Sequence, residues 1–315
     1  MKYVGKKLLT MCITLLLVSF LVFFCFTIIP GDPALAKLGT EATEEQLEAL
    51  REEMGINRPF FVRYGDWLVS FVSGDMGESY AYGLPVSDML VDKIPITIAV
   101  SIMSMALIIG ISIPVGLYTT KHAGGTVDRI LYAINQIIMA VPAFFAGILI
   151  TILFGLLLRL FVPGGYISYT KSFFGFIGYL FFPSLAIALP KISMTVKLLR
   201  SGMLDEKTKD YVRTAYSRGN RTTDVMYKHM LKNAMLPIVT FLGMTFTDII
   251  AGSIIVEQVF SIPGMGRILL TSISGRDYPV VMAIITCLAA AVILINGLVD
   301  LLYQWIDPRI RMEGK

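Results

Sequence analysis

Six stretches of this chain are each apolar over about the 20 residues that an α-helix needs to cross a hydrocarbon core. They fall at roughly 8–29, 96–119, 131–158, 176–198, 235–256 and 280–305. In lipid every backbone N–H and C=O must be satisfied within the segment, so apolar runs of this length read as helices. The weakest is 176–198, which carries Pro183, Pro190 and Lys191. A lysine at mid-bilayer costs roughly 2.5–3.5 kcal/mol, whereas one near a helix end can extend its amine to the interface. Lys191 lies six residues before Lys197, and it is expected to reach toward that interface. Composition agrees, with 55% hydrophobic and only 16% charged residues; soluble domains sit at about 25% charged. The expected fold class is an all-α membrane protein with six transmembrane helices.

Charge sets the direction of the spans. Lys2, Lys6 and Lys7 precede the first span, Lys121 and Arg129 sit in the 120–130 loop, and Arg309, Arg311 and Lys315 lie in the tail. The 197–232 loop holds nine basic residues against four acidic ones. With six spans these segments share one side, and the positive-inside rule makes that side the cytoplasm, with both termini there. The 30–95 segment opposite is acidic, with Glu41, Glu44, Glu45 and Glu48 among its charges. A net charge of +4 is too small to point to nucleic acid. Ala34-Leu35-Ala36 looks like a signal-peptide cleavage site, but the preceding apolar run of about 22 residues exceeds the roughly 7–15 of a signal core, so the first span is expected to be retained. The expected organisation is a transmembrane helix at 1–29, an extracytoplasmic insertion at 30–95, a five-helix core at 96–305 with a cytoplasmic loop at 199–234, and a tail at 306–315.

Two segments outside the bilayer carry helical signals of their own. Thr43 with Gln46 fits a capping box, Leu47, Leu50 and Met54 recur at helical spacing, and Gly55 is placed to end that helix. After Pro59, the residues Phe61, Tyr64, Leu68 and Phe71 share one face with Trp67 beside it, a pattern suited to a membrane interface. The insertion is then a small helical domain, either a dock for a solute-delivering partner or a folded cap without one. The basic loop reads as two short helices, Asp205 to Tyr216 and Thr222 to Asn233, around a Gly219-Asn220 turn. Thr223, Met226 and Met230 recur at three- and four-residue spacing, a stripe that fits another protein's groove. A basic loop held only against anionic lipid needs the charge but not the helix–glycine–helix pattern.

No paired carboxylates, nucleophile elbow or His–Asp arrangement suggests catalysis, and no phosphate-cradling glycine loop ending in Gly-Lys-Ser or Gly-Lys-Thr is present. Cys12, Cys25 and Cys287 lie in apolar runs without zinc-ligand spacing. His122 and His229 are far apart along the chain. No metal site and no bound cofactor are expected. Among polar groups in the spans, Asp248 lies near the middle of 235–256, where an ionisable side chain is expensive unless it faces a cavity or a partner. Asn135, Gln136 and Asn296 offer polar lining or interhelical hydrogen bonds, and Asp300 reads as structural.

Seven short blocks, in order along nearly the whole chain, resemble the inner-membrane permeases of the dipeptide, oligopeptide and nickel ATP-binding-cassette importers. They are Pro30-Gly31-Asp32-Pro33, Gly74 to Ser79, Asp210 to Ala215, Val256-Glu257 with Phe260, Pro263 to Arg267, Arg276 to Pro279, and Asp307 to Arg311. The signature of that family is a Glu-Ala-Ala element, a glycine after three intervening residues, and then Ile-x-Leu-Pro. The corresponding positions here are Arg213-Thr214-Ala215, Gly219 and His229-Met230-Leu231-Lys232. Ala215, Gly219 and Leu231 match; the glutamate, isoleucine and proline are replaced, and the peptide-importer branch commonly shows such an Arg-Thr-Ala variant. The resemblance implies a type I importer transmembrane domain with a small external helical insertion. It also implies that Arg213, Thr214, Ala215, Gly219, Met226, His229 and Leu231 couple the chain to an ATPase. The implied partners are a second homologous permease, two cytoplasmic ATP-binding subunits that hold ATP and Mg, and an extracytoplasmic solute-binding protein. The implied location is the cytoplasmic (inner) membrane of a bacterium or archaeon, with short peptides as solute and nickel or a metal chelate as the alternative. Asp248, Asn135 and Gln136 are then candidates for the solute path, Asp248 facing a cation such as a peptide's amino terminus or, alternatively, an interface with the second permease.

Two other classes compete. An ion-gradient transporter favours inverted repeats and broken helices with ion ligands, and no half-to-half correspondence is visible. An intramembrane enzyme needs converging catalytic side chains, and Asp248 has no evident catalytic companion in the sequence.

Overall fold

The computed structural model describes residues 2–28, 33–39 and 42–306. Helices dominate: α1 (Lys2–Ile28), α2 (Pro33–Leu38), α3 (Glu44–Glu53), α4 (Phe60–Val72), α5 (Val86–Val91), α6 (Ile94–Lys121), α7 (Thr126–Ala140), α8 (Ala143–Ile150), α9 (Phe173–Lys207), α10 (Asp210–Ser217), α11 (Thr222–Asp224), α12 (Leu231–Val259), α13 (Met265–Ser274) and α14 (Tyr278–Ile306). Two π-helical segments, Thr151–Leu157 and Val225–Met230, continue α8 and join α11 to α12. Among the described residues the only β pairing is an isolated bridge between Glu78 and Pro85.

Among the described residues five helical stretches are long and apolar enough to span a membrane, and a sixth results if α7 and the helix from Ala143 to Leu157 count as one broken span. The uninterrupted helix expected over 131–158 is bent by 104° at that break. The cause is Pro142, whose ring disfavours helical geometry in the residue before it. Val141 accordingly sits at φ −82°, ψ 121°. Pro183 and Pro190 do not have this effect, and α9 runs through both for 35 residues.

The chain divides into two compact units, one of Met1–Thr97 with Pro263–Gly297 and one of Ile98–Ile262 with the residues from Leu298 onward. In the first unit, α3 begins at the expected capping box: Thr43 accepts from the Gln46 N–H and the Gln46 side chain accepts from the Thr43 N–H. Gly55, at φ +65°, follows its end. Helix α4 packs on α1 through an aromatic cluster in which Phe23 touches Phe60, Tyr64 and Trp67. The packed side thus holds Tyr64, Trp67, Leu68 and Phe71, half-buried as anticipated from the sequence, with half-buried Phe60 in the place expected for Phe61, which is 75% exposed. The hydroxyls of Tyr64 and Ser19 are hydrogen-bonded at 2.9 Å.

Two of the family-like blocks, 198 positions apart, meet in this unit. Asp277, 1% exposed, accepts the Ser79 hydroxyl at 2.5 Å and the Tyr80 N–H at 3.0 Å. A buried carboxylate is stable only with such donors. Burial, and then the nearby Asp277 charge, push the Tyr80 phenol up to about 12.

In the second unit α9 is the hub, packed on α7, α8 and α12. Its approach to α6 is close because Gly116 lacks a side chain: a Cβ there would lie 2.7 Å from Leu199 Cδ2, nearer than such contacts allow. Small residues let membrane helices approach in this way.

Candidate functional site

The basic loop between the α9 and α12 spans is a folded handle. Helix α9 stops at Lys207, so Asp205 to Lys207 end the span helix, and the first handle helix is the shorter α10. The second is no separate helix. It begins at Thr222 and runs through the π-helical segment into α12, one continuous helix from Thr222 to Val259. A displacement at Thr222 therefore reaches the middle of the span without crossing a hinge loop.

The turn between the two halves follows from one residue. Gly219 adopts φ +80°, the left-handed region that costs a residue with a β-carbon roughly 1–2 kcal/mol. The Gly219 N–H bonds the Tyr216 carbonyl at 2.9 Å, and the Asn220 N–H bonds that of Ala215 at 3.4 Å. This pair of bonds satisfies the last carbonyls of α10. The Asn220 side chain adds a third bond to the Ala215 carbonyl at 3.0 Å.

Beneath the turn, Val212, Ala215, Val225, Met226 and Met230 form one buried cluster with Leu117, Leu199, Met203, Ala234 and Ile238. Burying a valine or methionine side chain contributes roughly 1.5–3 kcal/mol, so the handle is held by its own chain. The methionines read from the sequence as a stripe for another protein's groove instead face this core, with Met226 5% and Met230 1% exposed. Ala215 is buried beside them and Leu231 packs against the cluster half-buried. Periodicity alone cannot tell a partner's groove from an intramolecular one.

The outward surface is made of other residues. Arg213, Thr214, Thr223, Lys228 and His229 are exposed, and Tyr227 is 58% exposed. Thr214, Arg218, Asn220 and His229 line a shallow cleft of about 260 Å³ together with Tyr211. The Tyr211 phenol donates to Glu206; burial first, and that bond second, push its pKa up.

Lys191, Asp248, Asn135 and Gln136, polar residues of the spans, have partners. Lys191 does not extend toward the Lys197 interface; its ammonium donates to Asp248 at 2.6 Å, linking α9 to α12. The pair is open on one side, with side chains 29% and 60% exposed respectively. Asn135 donates to the Ser193 carbonyl at 2.7 Å and Gln136 to the Tyr132 hydroxyl at 2.9 Å. A further ion pair went unread in the sequence: Arg200 grips Asp128 with two bonds of 2.9 and 2.7 Å, and the Gly124 N–H donates to the same carboxylate. An acidic residue in the first turn of α7 was the only available signal. Both residues of the pair line an apolar cavity of about 210 Å³, as does Asn135. The Asp300 side chain, Pro30 to Asp32 and the Asp307 to Arg311 block lie outside the described residues. Among the described residues no cluster of three or more His, Cys, Asp or Glu suits a metal ion, and all three cysteines are free.

Long apolar helices, one of them continuous with a basic, glycine-turned handle, define a polytopic α-helical membrane protein. Residues 112–312 match the family described as binding-protein-dependent transport system inner membrane component, and residues 1–101 match the N-terminal model of the same membrane components. The chain belongs to this family of ATP-binding-cassette importer permeases. It is 33% identical over 309 residues to a probable peptide ABC transporter permease of Sinorhizobium fredii, covering 98% of this chain and 99% of the relative. An oligopeptide transport system permease of Bacillus subtilis is 33% identical over 311 residues, 98% of each chain. A glutathione transport system permease of Escherichia coli is 34% identical over 313 residues, 99% of this chain and all of the relative.

Proposed function

We propose that this chain forms half of the translocation path for short peptides in an importer of the cytoplasmic membrane, driven by two separate ATP-binding subunits. The names of the full-length relatives support the solute class, since peptides, oligopeptides and the tripeptide-like glutathione share free amino and carboxyl groups on a short backbone. The observation that carries the coupling role is the handle: its outer face is basic and exposed while its underside is locked to α9 and α12. Arg213, Thr214 and His229 present contacts to an ATPase, Gly219 shapes the turn, and Ala215, Met226 and Leu231 hold the element to the spans. Closure of the ATPases around ATP and Mg then moves the handle as a rigid body, and interdigitated packing passes that displacement to the helices. The membrane subunit itself performs no catalysis. The acidic 30–95 insertion receives an extracytoplasmic solute-binding protein, a second homologous permease completes the path, and both termini lie in the cytoplasm. Asp248, Asn135 and Gln136 are placed along the path.

Charge reversal of the outer face tests this reading. Arg213→Glu with Arg218→Glu is expected to abolish co-purification of the ATPases and ATP-driven uptake of a dipeptide, while the membrane chain remains folded. Intact assembly and uptake in that variant sink the coupling assignment.

A further inference from the structure

The Lys191–Asp248 pair is placed where it makes little sense as a purely structural bond. Both residues lie deep within apolar spans, where a lone charge costs roughly 2.5–3.5 kcal/mol. A pair made only to cross-link α9 and α12 would be packed away from other contacts, as Asp128 is at 5% side-chain exposure. Asp248 is instead 60% exposed. On the same face of α12, at three- and four-residue spacing, lie Thr240, Met244, Ala251, Ile255 and Gln258, all exposed. A stripe with a carboxylate, a hydroxyl and an amide does not suit lipid tails. It suits a wet path.

We infer that Lys191 and Asp248 together form a zwitterion-exchange site in the translocation path, where the amino terminus of a short peptide replaces Lys191 on Asp248 and its carboxylate takes up the released lysine. This deepens the peptide-importer reading and rests on it. The physical basis is the balance of charges. Each residue neutralises the other at 2.6 Å, so neither charge stands alone within the spans. A zwitterionic solute offers one replacement partner for each, so opening the pair leaves no uncompensated charge. Such an exchange is close to neutral in free energy, which a transport site requires because it must also release. A solute with a blocked amino terminus can open the pair only by stranding Asp248, and one with a blocked carboxylate strands Lys191.

The test uses the assembled complex with its ATPases and binding protein in proteoliposomes. Met244→Cys and Ala251→Cys, introduced singly with Cys12, Cys25 and Cys287 replaced by serine, probe the face and leave the charge pair intact. Both are expected to react with a membrane-impermeant cationic thiol reagent, and saturating dialanine is expected to protect them at least severalfold while N-acetyl-dialanine amide does not. In parallel, Asp248→Asn and Lys191→Gln are expected each to lower dialanine uptake about tenfold, and the exchanged pair Lys191→Asp with Asp248→Lys to recover most of it. Failure of both cysteines to react, equal protection by the doubly blocked compound, or wild-type uptake by the Asp248→Asn protein overturns the exchange site. If the unmodified complex fails to import dialanine at all, the peptide-importer reading fails instead. If the charge variants lose uptake while the cysteines stay unreactive, the pair belongs to an interface with the second permease, and the exchange site is overturned as well.

Discussion

Replacing Gly219 separates backbone strain from steric clash, because the structure contains only the first. A Cβ built at this position meets nothing within 4 Å, so no neighbour has to move. What remains is the φ of +80°, which costs alanine roughly 1–2 kcal/mol and asparagine less, since its short polar side chain tolerates the left-handed region. A cost of that size lowers the ratio of closed to opened turn about 5–30-fold. It falls on a junction whose two backbone bonds, Gly219 to Tyr216 and Asn220 to Ala215, shape the handle. Gly219→Ala is therefore expected to reduce ATP-driven uptake by the reconstituted complex and to expose the 208–222 segment to limited proteolysis. Gly219→Val is expected to do so more strongly, because β-branched residues tolerate positive φ least, and Gly219→Asn is expected to stay near wild type. The ordering Asn above Ala above Val is the diagnostic. Uptake and cleavage that are identical in all three variants refute the turn's role. An asparagine variant as poor as valine shows that the glycine is needed for space, against the open surroundings.

Other expectations follow from the same packing. Met230→Ala, at a side chain 1% exposed, is expected to destabilise the purified chain by about 2–5 kcal/mol in a thermal melt in detergent, whereas Tyr227→Ala on the exposed face changes ATPase binding but not the melt. Asp277→Ala removes the acceptor of the Ser79 hydroxyl and the Tyr80 N–H; each buried donor left unpaired costs about 1–3 kcal/mol, and faster protease cleavage within 75–86 is the readout. Tyr80 sets a pH dependence. Its folded pKa of about 12 lies above the ordinary 10.0, so its contribution to stability is complete below pH 10 and is lost as pH rises from 10 through 12. The melting difference between wild type and Tyr80→Phe is expected to be flat below pH 10 and to change only above it.

Much of this protein was legible without coordinates, because a bilayer leaves the backbone few choices. Apolar runs of about 20 residues must be helices, so the spans could be read almost to their ends, and the family-like blocks identified the class. The capping box at Thr43 and the turn at Gly219 were readable for a related reason: each depends on a few adjacent residues and a local backbone geometry. What the sequence could not settle were questions about which surface meets which. The stripe of Met226 and Met230 has the same spacing whether it faces another protein or Leu199 and Met203 of its own chain. On α4 the first aromatic of the packed face is Phe60 and not Phe61; the two are chemically alike, and only the position of Phe23 on α1 decides between them. The break at Val141 was signalled by Pro142, but the equally visible Pro183 and Pro190 leave α9 continuous, so the tertiary setting decides which proline bends its helix. The pairings of Lys191 with Asp248, Arg200 with Asp128 and Ser79 with Asp277 join residues 57, 72 and 198 positions apart. A sequence records which charges are present. Only the packed structure brings them within 3 Å of each other, where Coulomb attraction and hydrogen bonding give them a role.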